Sequence, residues 1–152
     1  MKHVACRADE VPPGGRKIVD VAGRSIGIFN LQGEYFALRN ICPHQGGKLC
    51  EGKTWGLIEA SKPGDLHYSR PGEIITCIWH GWEFDIRTGQ SWCDPIKLRV
   101  RKYDVDVADG ATIVAQEDVV TGPVTGYVKG PYMAETFPVL ADGQYLVLDI
   151  PS

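Results

Sequence analysis

The sequence predicts an all-β protein built as an antiparallel sandwich or partly open barrel. Three observations lead there. No stretch carries the i, i+3, i+4, i+7 apolar spacing of an amphipathic helix, so helix content should be low. The 18 glycines and 10 prolines are spread along the whole chain and cut it into short apolar segments. Several of those segments are joined by short turn sequences, as the strands of antiparallel hairpins are.

Taken in order, residues 25–30 and 34–38 read as strands around a Leu31-Gln32-Gly33 turn. Residues 53–72 read as an inserted hairpin centred on Lys62-Pro63-Gly64-Asp65. Residues 83–86 and 90–92 flank an Arg87-Thr88-Gly89 turn. Residues 99–107 alternate imperfectly and run into Asp109-Gly110. Asp-Gly between apolar runs is a strong hairpin signal because both residues tolerate positive φ, so residues 111–115 are expected to return as a strand. Residues 103–110 echo residues 137–143; two copies are too few for a repeat architecture and read as edge hairpins of similar chemistry. Residues 117–130, rich in Gly, Val and Thr, read as a connecting loop.

A chain of 152 residues fits one domain. With 43% hydrophobic and 23% charged residues its composition is ordinary, which argues against general disorder. The net charge of −3 gives no reason to expect nucleic acid or an anionic membrane as partner. The N-terminus has a charged start but no apolar core of a signal peptide. No apolar run approaches the roughly 20 residues of a membrane helix. A cytoplasmic location without a membrane span is the default expectation. Five cysteines, an odd number without an export signal, favour metal binding by a subset over a disulfide framework.

Two segments concentrate the chemistry: Cys42-Pro43-His44-Gln45-Gly46-Gly47 and Cys77-Ile78-Trp79-His80-Gly81-Trp82. Each pairs a thiol with an imidazole two or three residues on, and each His is followed by Gly within two positions, which lets the backbone turn around a bulky ligand. Pro43 stiffens the first segment. A thiolate and an imidazole supplied twice form an S₂N₂ set that suits either tetrahedral zinc or an iron–sulfur centre.

These residues resemble the Rieske ferredoxin family, whose C-x-H and downstream C-x-x-H are matched by CPHQGG and CIWHGW; the likeness is to the branch found in bacterial ring-hydroxylating dioxygenase systems. It runs through most of the chain. It implies one [2Fe–2S] cluster with Cys42 and Cys77 on one iron and His44 and His80 on the other, which raises the potential above that of an all-cysteine cluster. It also implies a base formed by residues 1–40 and 95–152, with a cluster-binding subdomain at 41–94. In the cytochrome-complex branch an extra Cys in each loop forms a disulfide. Here Trp79 stands at the second of those places and Cys50 lies too far along to match the first, so no bridge is expected. Trp82 and Phe84 stand where that branch places hydroxyl donors. Fewer donors to the sulfurs imply a potential near the low end of the Rieske range, about −150 mV.

The function so implied is that of an electron carrier without catalytic residues, taking single electrons from a reductase, of the flavoprotein kind, and passing them to an oxygenase or similar terminal enzyme. The alternative is the Rieske part of an oxygenase or nitrite reductase. An oxygenase needs a second iron on two His and one carboxylate. Beyond the cluster ligands only His3 and His67 remain, neither in such an arrangement. A zinc site would make the chain an interaction module. The remaining side chains have plainer readings. Cys6, Cys50 and Cys93 read as small buried hydrophobes, and His3 and His67 as solvated. Lys97, Arg99, Arg101 and Lys102 read as a solvated basic strand.

Overall fold

The computed structural model describes residues 1–79, 81–91, 98–115, 119–120 and 143–151. In chain order the strands are β1 (Lys2–Arg7), β2 (Arg16–Val21), β3 (Arg24–Leu31), β4 (Glu34–Arg39), β5 (Lys53–Lys62), β6 (Asp65–Thr76), β7 (Glu83–Asp85), β8 (Lys102–Asp109), β9 (Val119–Val120) and β10 (Gln144–Asp149). One short helix, α1 (Gly110–Ala115), and two 3₁₀ turns complete the described residues. The all-β expectation holds. The chain divides into two compact units, residues 1–37 with 103–152 and residues 38–102.

The first unit carries a seven-stranded sheet in the order β2-β3-β4-β8-β10-β1-β9. Strands β1 with β10, β10 with β8 and β2 with β3 pair antiparallel, and β1 with β9 is parallel. The β3–β4 turn is Gln32-Gly33, both at positive φ, a pattern that matches the twist of a hairpin. Leu31, expected in the turn, is the last residue of β3. The buried Asn30 locks this corner: its Oδ1 accepts from Gly33 N at 2.7 Å and its Nδ2 donates to Val11 O at 2.8 Å. Alternation along the strands sends Ile26, Ile28, Leu146 and Leu148 into one apolar core with Val19, Val21 and Tyr103.

The segment after Asp109-Gly110 differs from expectation: residues 111–115 form α1, not a return strand. A strand returning from β8 needs a free edge, and β8 already lies between β4 and β10. The chain instead covers the second face of β10, where Ile113 packs with Tyr145 and Val147. Of residues 117–130, expected as a loop, Val119 and Val120 pair with β1 and the others lie outside the described residues. So do residues 137–142 of the proposed echo.

The second unit carries a three-stranded sheet in the order β5-β6-β7. Strands β5 and β6 form the long hairpin, turning at Pro63-Gly64 with Gly64 at positive φ. Its ladder continues past Gly72 to Thr76, the residue before Cys77. Beyond β7, the Arg87-Thr88-Gly89 turn brings Ser91 opposite Phe84; Trp92 lies outside the described residues. Leu49, Cys50, Ile74, Ile75, Phe84 and Ile86 are fully buried.

If α1 covers the second face of β10 through Ile113, Ile113→Ala should destabilise the protein by about 2–4 kcal/mol. Val114→Ala, on the exposed side, should stay within about 0.5 kcal/mol. Urea denaturation of the two variants separates these; equal losses would contradict the helix.

Candidate metal centre

Both chemistry-bearing segments lie in the second unit, and they fold by one scheme. In the first, Cys42 N donates to Gly47 O at 2.7 Å and Gly46 N donates to Cys42 O at 2.8 Å. In the second, Cys77 N donates to Trp82 O at 2.8 Å and Gly81 N donates to Cys77 O at 3.0 Å. Each Cys therefore opens a tight loop that closes on itself, and the fifth residue of each is a glycine at positive φ, Gly46 at 79° and Gly81 at 68°. A Cβ on either would meet nothing within 4 Å, so backbone conformation rather than space calls for glycine there.

Cys42 and Cys77 are each only 2% exposed, and their sulfurs lie within hydrogen-bonding reach of one another. Burial pushes the Cys42 thiol up. The His44 backbone N–H, donating to its sulfur, opposes this; the nearby Cys77 raises it further, and the Gln45 N–H opposes it again. The loops touch at Gly47, where a methyl group would stand 3.1 Å from Cδ2 of Trp79 and 3.2 Å from Sγ of Cys77. His44 is half-buried with its Nδ1 inside, and its ring stacks on Trp82 at 4.5 Å between centroids and 27° between planes. His80 lies outside the described residues, between Trp79 and Gly81. The structure thus brings Cys42, His44 and Cys77 to one pair of loops.

Four charged side chains that sequence reasoning passed over tie the second loop at its base. Arg70 on β6 donates to Asp85 Oδ2 at 2.7 Å and to Glu73 Oε1 at 3.2 Å, and Arg87 also donates to Glu73 Oε1. Asp85 further accepts from Arg87 N at 2.9 Å. The limbs entering and leaving Cys77–Trp82 are therefore joined by ion pairs as well as by the β6–β7 ladder. Burial alone would raise the Glu73 carboxyl, but Arg87 and Arg70 outweigh it and hold it below the usual carboxylate range. Charge alternation in sequence gives no hint of this group, because its members meet only through the hairpin register.

The other singled-out residues fall as follows. Cys6 is buried, and desolvation with Glu10 nearby pushes its thiol up to about 12. Cys50 is buried, with Sγ at 3.6 Å from Leu38 O. No disulfide involves Cys6, Cys42, Cys50 or Cys77; Cys93 and Lys97 lie outside the described residues. His67 is exposed, with Nε2 at 3.3 Å from Asp65 Oδ1. His3, expected in solvent, is half-buried; burial, the N-terminal charge and Arg24 lower its pKa. Phe84 is fully buried. Of the basic strand, Arg99 bridges to Gln90 and Lys102 opens β8. Among the described residues no three or more His, Cys, Asp or Glu gather to hold a single ion, and no helix is long and apolar enough to cross a membrane.

A small β domain with two matched Cys loops closing on each other, His44 beside one of the cysteines, fits the class of proteins that hold a metal or iron–sulfur centre on thiols and imidazoles. The chain belongs to the Rieske [2Fe–2S] domain family, whose model matches residues 1–104. The biphenyl dioxygenase ferredoxin subunit of Pseudomonas sp. (strain KKS102) is 32% identical over 108 residues, covering 66% of this chain and 85% of that protein. The ferredoxin component of the p-cumate 2,3-dioxygenase system of Pseudomonas putida is 32% identical over 120 residues, covering 78% and 86%. Among solved structures, a ferredoxin from Sphingomonas yanoikuyae B1 superposes with a TM-score of 0.54 at 27% identity, covering 72% of this chain and 92% of that one. This chain carries a Rieske-type [2Fe–2S] cluster and is an electron carrier, not a catalyst. Its residues fit that group. Two buried thiols within reach of each other suit one iron, and the methyl-free Gly47 leaves the Cys77 sulfur unobstructed.

Two outcomes follow. Ala at Gly46 or Gly81 should destabilise by about 1 kcal/mol each, with Asn recovering part of the loss, because only the left-handed backbone opposes the side chain; urea melts would reveal a contrary zero effect. The depressed Glu73 carboxyl contributes stability that is present above its unfolded pKa and lost as pH falls through the folded value. Glu73→Gln should therefore destabilise the protein at pH 7 and progressively less below about pH 4. Calorimetry at both pH values checks this, and a gap that persists unchanged at pH 3 would remove the ion pairs as its cause.

Proposed function

We propose that this chain is the ferredoxin of a multicomponent oxygenase system in the cytoplasm, with its cluster held by Cys42, His44, Cys77 and His80. It receives single electrons from a reductase, of the flavoprotein kind, and delivers them to a terminal ring-hydroxylating oxygenase. The observation that carries the reading is the shared hydrogen-bond scheme of the Cys42–Gly47 and Cys77–Trp82 loops, which ends in two adjacent buried sulfurs. The relatives are ferredoxin components of biphenyl and p-cumate dioxygenase systems, which supports the choice of partner class.

When bound, the cluster accepts and releases one electron without any bond to substrate. The chain's part is to bury the thiols, to donate the His44 and Gln45 N–H groups to the Cys42 sulfur, and to hold His44 under Trp82. The thiol side is sealed from solvent while the His44 ring is only half-buried, so the imidazole side is the electron port. Ile41, Ile78 and Trp79, all exposed, give the loops an apolar rim suited to brief docking over an interface below roughly 1,200 Å². Neither Trp82, which stacks on His44, nor Phe84, which is fully buried, supplies a hydroxyl donor, in keeping with a potential near the low end of the Rieske range.

Iron and sulfide analysis with EPR of the reduced protein tests the ligand set. Cys42→Ser or Cys77→Ser should abolish the cluster. His44→Cys or His80→Cys should keep some iron but lose the Rieske spectrum. A His80→Ala protein with an unchanged spectrum would remove His80 from the set, and a colourless zinc protein would overturn the reading altogether.

A further inference from the structure

The loops that supply the ligands lie far apart in sequence, and no disulfide joins them at Cys42 or Cys77. Cluster loss requires the loops to part. What opposes their parting is visible at two places, and at both the second loop reaches the first with a tryptophan. Trp79 lies over Gly47, its ring carbons Cδ2 and Cγ 3.1 and 3.3 Å from where a Cβ would be. Trp82 stacks on the ring of His44 at 4.5 Å. Both rings come from one loop, both seats belong to the other, and among the described glycines Gly47 is the one at which a Cβ would meet Trp79.

We propose that Trp79 and Trp82 are positioning residues that form an aromatic clasp across the two ligand loops, with Gly47 and His44 as its seats, in place of a covalent crosslink. This rests on the ligand reading above. A crosslink acts by denying the loops their freedom to separate. Two ring contacts that exist only while the loops are closed oppose the same motion, and their energy is lost as the loops open. Trp82 also fixes the plane of His44, so the clasp acts on that imidazole.

The test is the rate at which the oxidised holoprotein bleaches in excess chelator, followed by visible absorbance, with the reduced-state EPR spectrum recorded for each variant. Trp79→Ala and Trp82→Ala should each bleach roughly three- to tenfold faster, the range an aromatic contact supplies. Trp79→Phe and Trp82→Phe should recover most of the difference, because they keep a ring. Trp82→Ala should also shift the EPR g-values, as a freed His44 changes orientation; loss of general stability would not do this. Gly47→Ala should bleach faster, and combining it with Trp79→Ala should add less than the sum of the two. Trp55→Ala removes another exposed tryptophan of the same unit and should bleach at the wild-type rate. Alanine variants with full iron content that bleach at the wild-type rate would overturn the clasp alone. Phenylalanine variants as fast as alanine, or a Trp55→Ala protein equally fast, would overturn it too. A wild-type protein that takes up no iron and sulfide would overturn the ligand reading with it.

Discussion

Two cysteine sulfurs that the chain separates widely must be buried next to one another, and most of the second unit can be read as the means to that end. Burial disfavours the charged thiolate and adjacent sulfurs repel as thiolates, which is why the Cys42 thiol is pushed up. The offsetting groups are local. Backbone N–H donors from His44 and Gln45 reach the Cys42 sulfur only if the chain curls immediately after the cysteine. That curl is the loop closed by the Gly46 N–H on Cys42 O, and it places a residue at positive φ. The constraint on the sulfurs thus propagates to a glycine four residues away, and the second loop answers the same demand with Gly81.

The loop needs a rigid base, and that base is ionic as well as hydrogen-bonded. Arg70, Glu73, Asp85 and Arg87 are mostly withdrawn from solvent, with Asp85 at 6% side-chain exposure. Isolated buried charges would be destabilising, and removing one partner of such a set leaves the others unsatisfied. Here each carboxylate answers an arginine on the opposite limb of the second loop, so the favourable energy appears only at the native register of β6 with β7. The backbone assists: Arg70 adopts positive φ at 51°, and Ile86 N donates to Glu73 O at 2.9 Å. The hairpin β5–β6 is accordingly more than a projection, since its inner end is the stem on which Cys77 is carried.

How much of this was legible in sequence depended on distance along the chain. Each Cys and its His sit within three residues, so the paired motif could be read directly, and the turns at Gln32-Gly33 and Pro63-Gly64 carry their own residue signatures. Strand β1 could not be read this way. It owes its extended form to pairing with β10 at the other end of the chain. The β2–β3 turn was hidden by Ala22, an unusual occupant of positive φ at 52°. Asp109-Gly110 shows the opposite failure. Its local chemistry favours a hairpin, but the edges of β8 are taken, and a non-local pairing decided the outcome. The ionic group at the stem was invisible for the same reason: four ordinary charged residues acquire meaning only through register.

The two loops share a backbone frame but not a Cys-to-His spacing. His44 follows its cysteine by two residues and His80 by three, while the closing hydrogen bonds fall at the same offsets in both. At the third place of that frame the first loop carries His44 and the second carries Trp79, whose ring lies over Gly47. The asymmetry therefore has a structural product: the second loop reaches across with Trp79, and the first receives it at Gly47. The first loop can end on a glycine because the second supplies the covering side chain, and without the ring of Trp79 nothing of the second loop would cover Gly47 in this way.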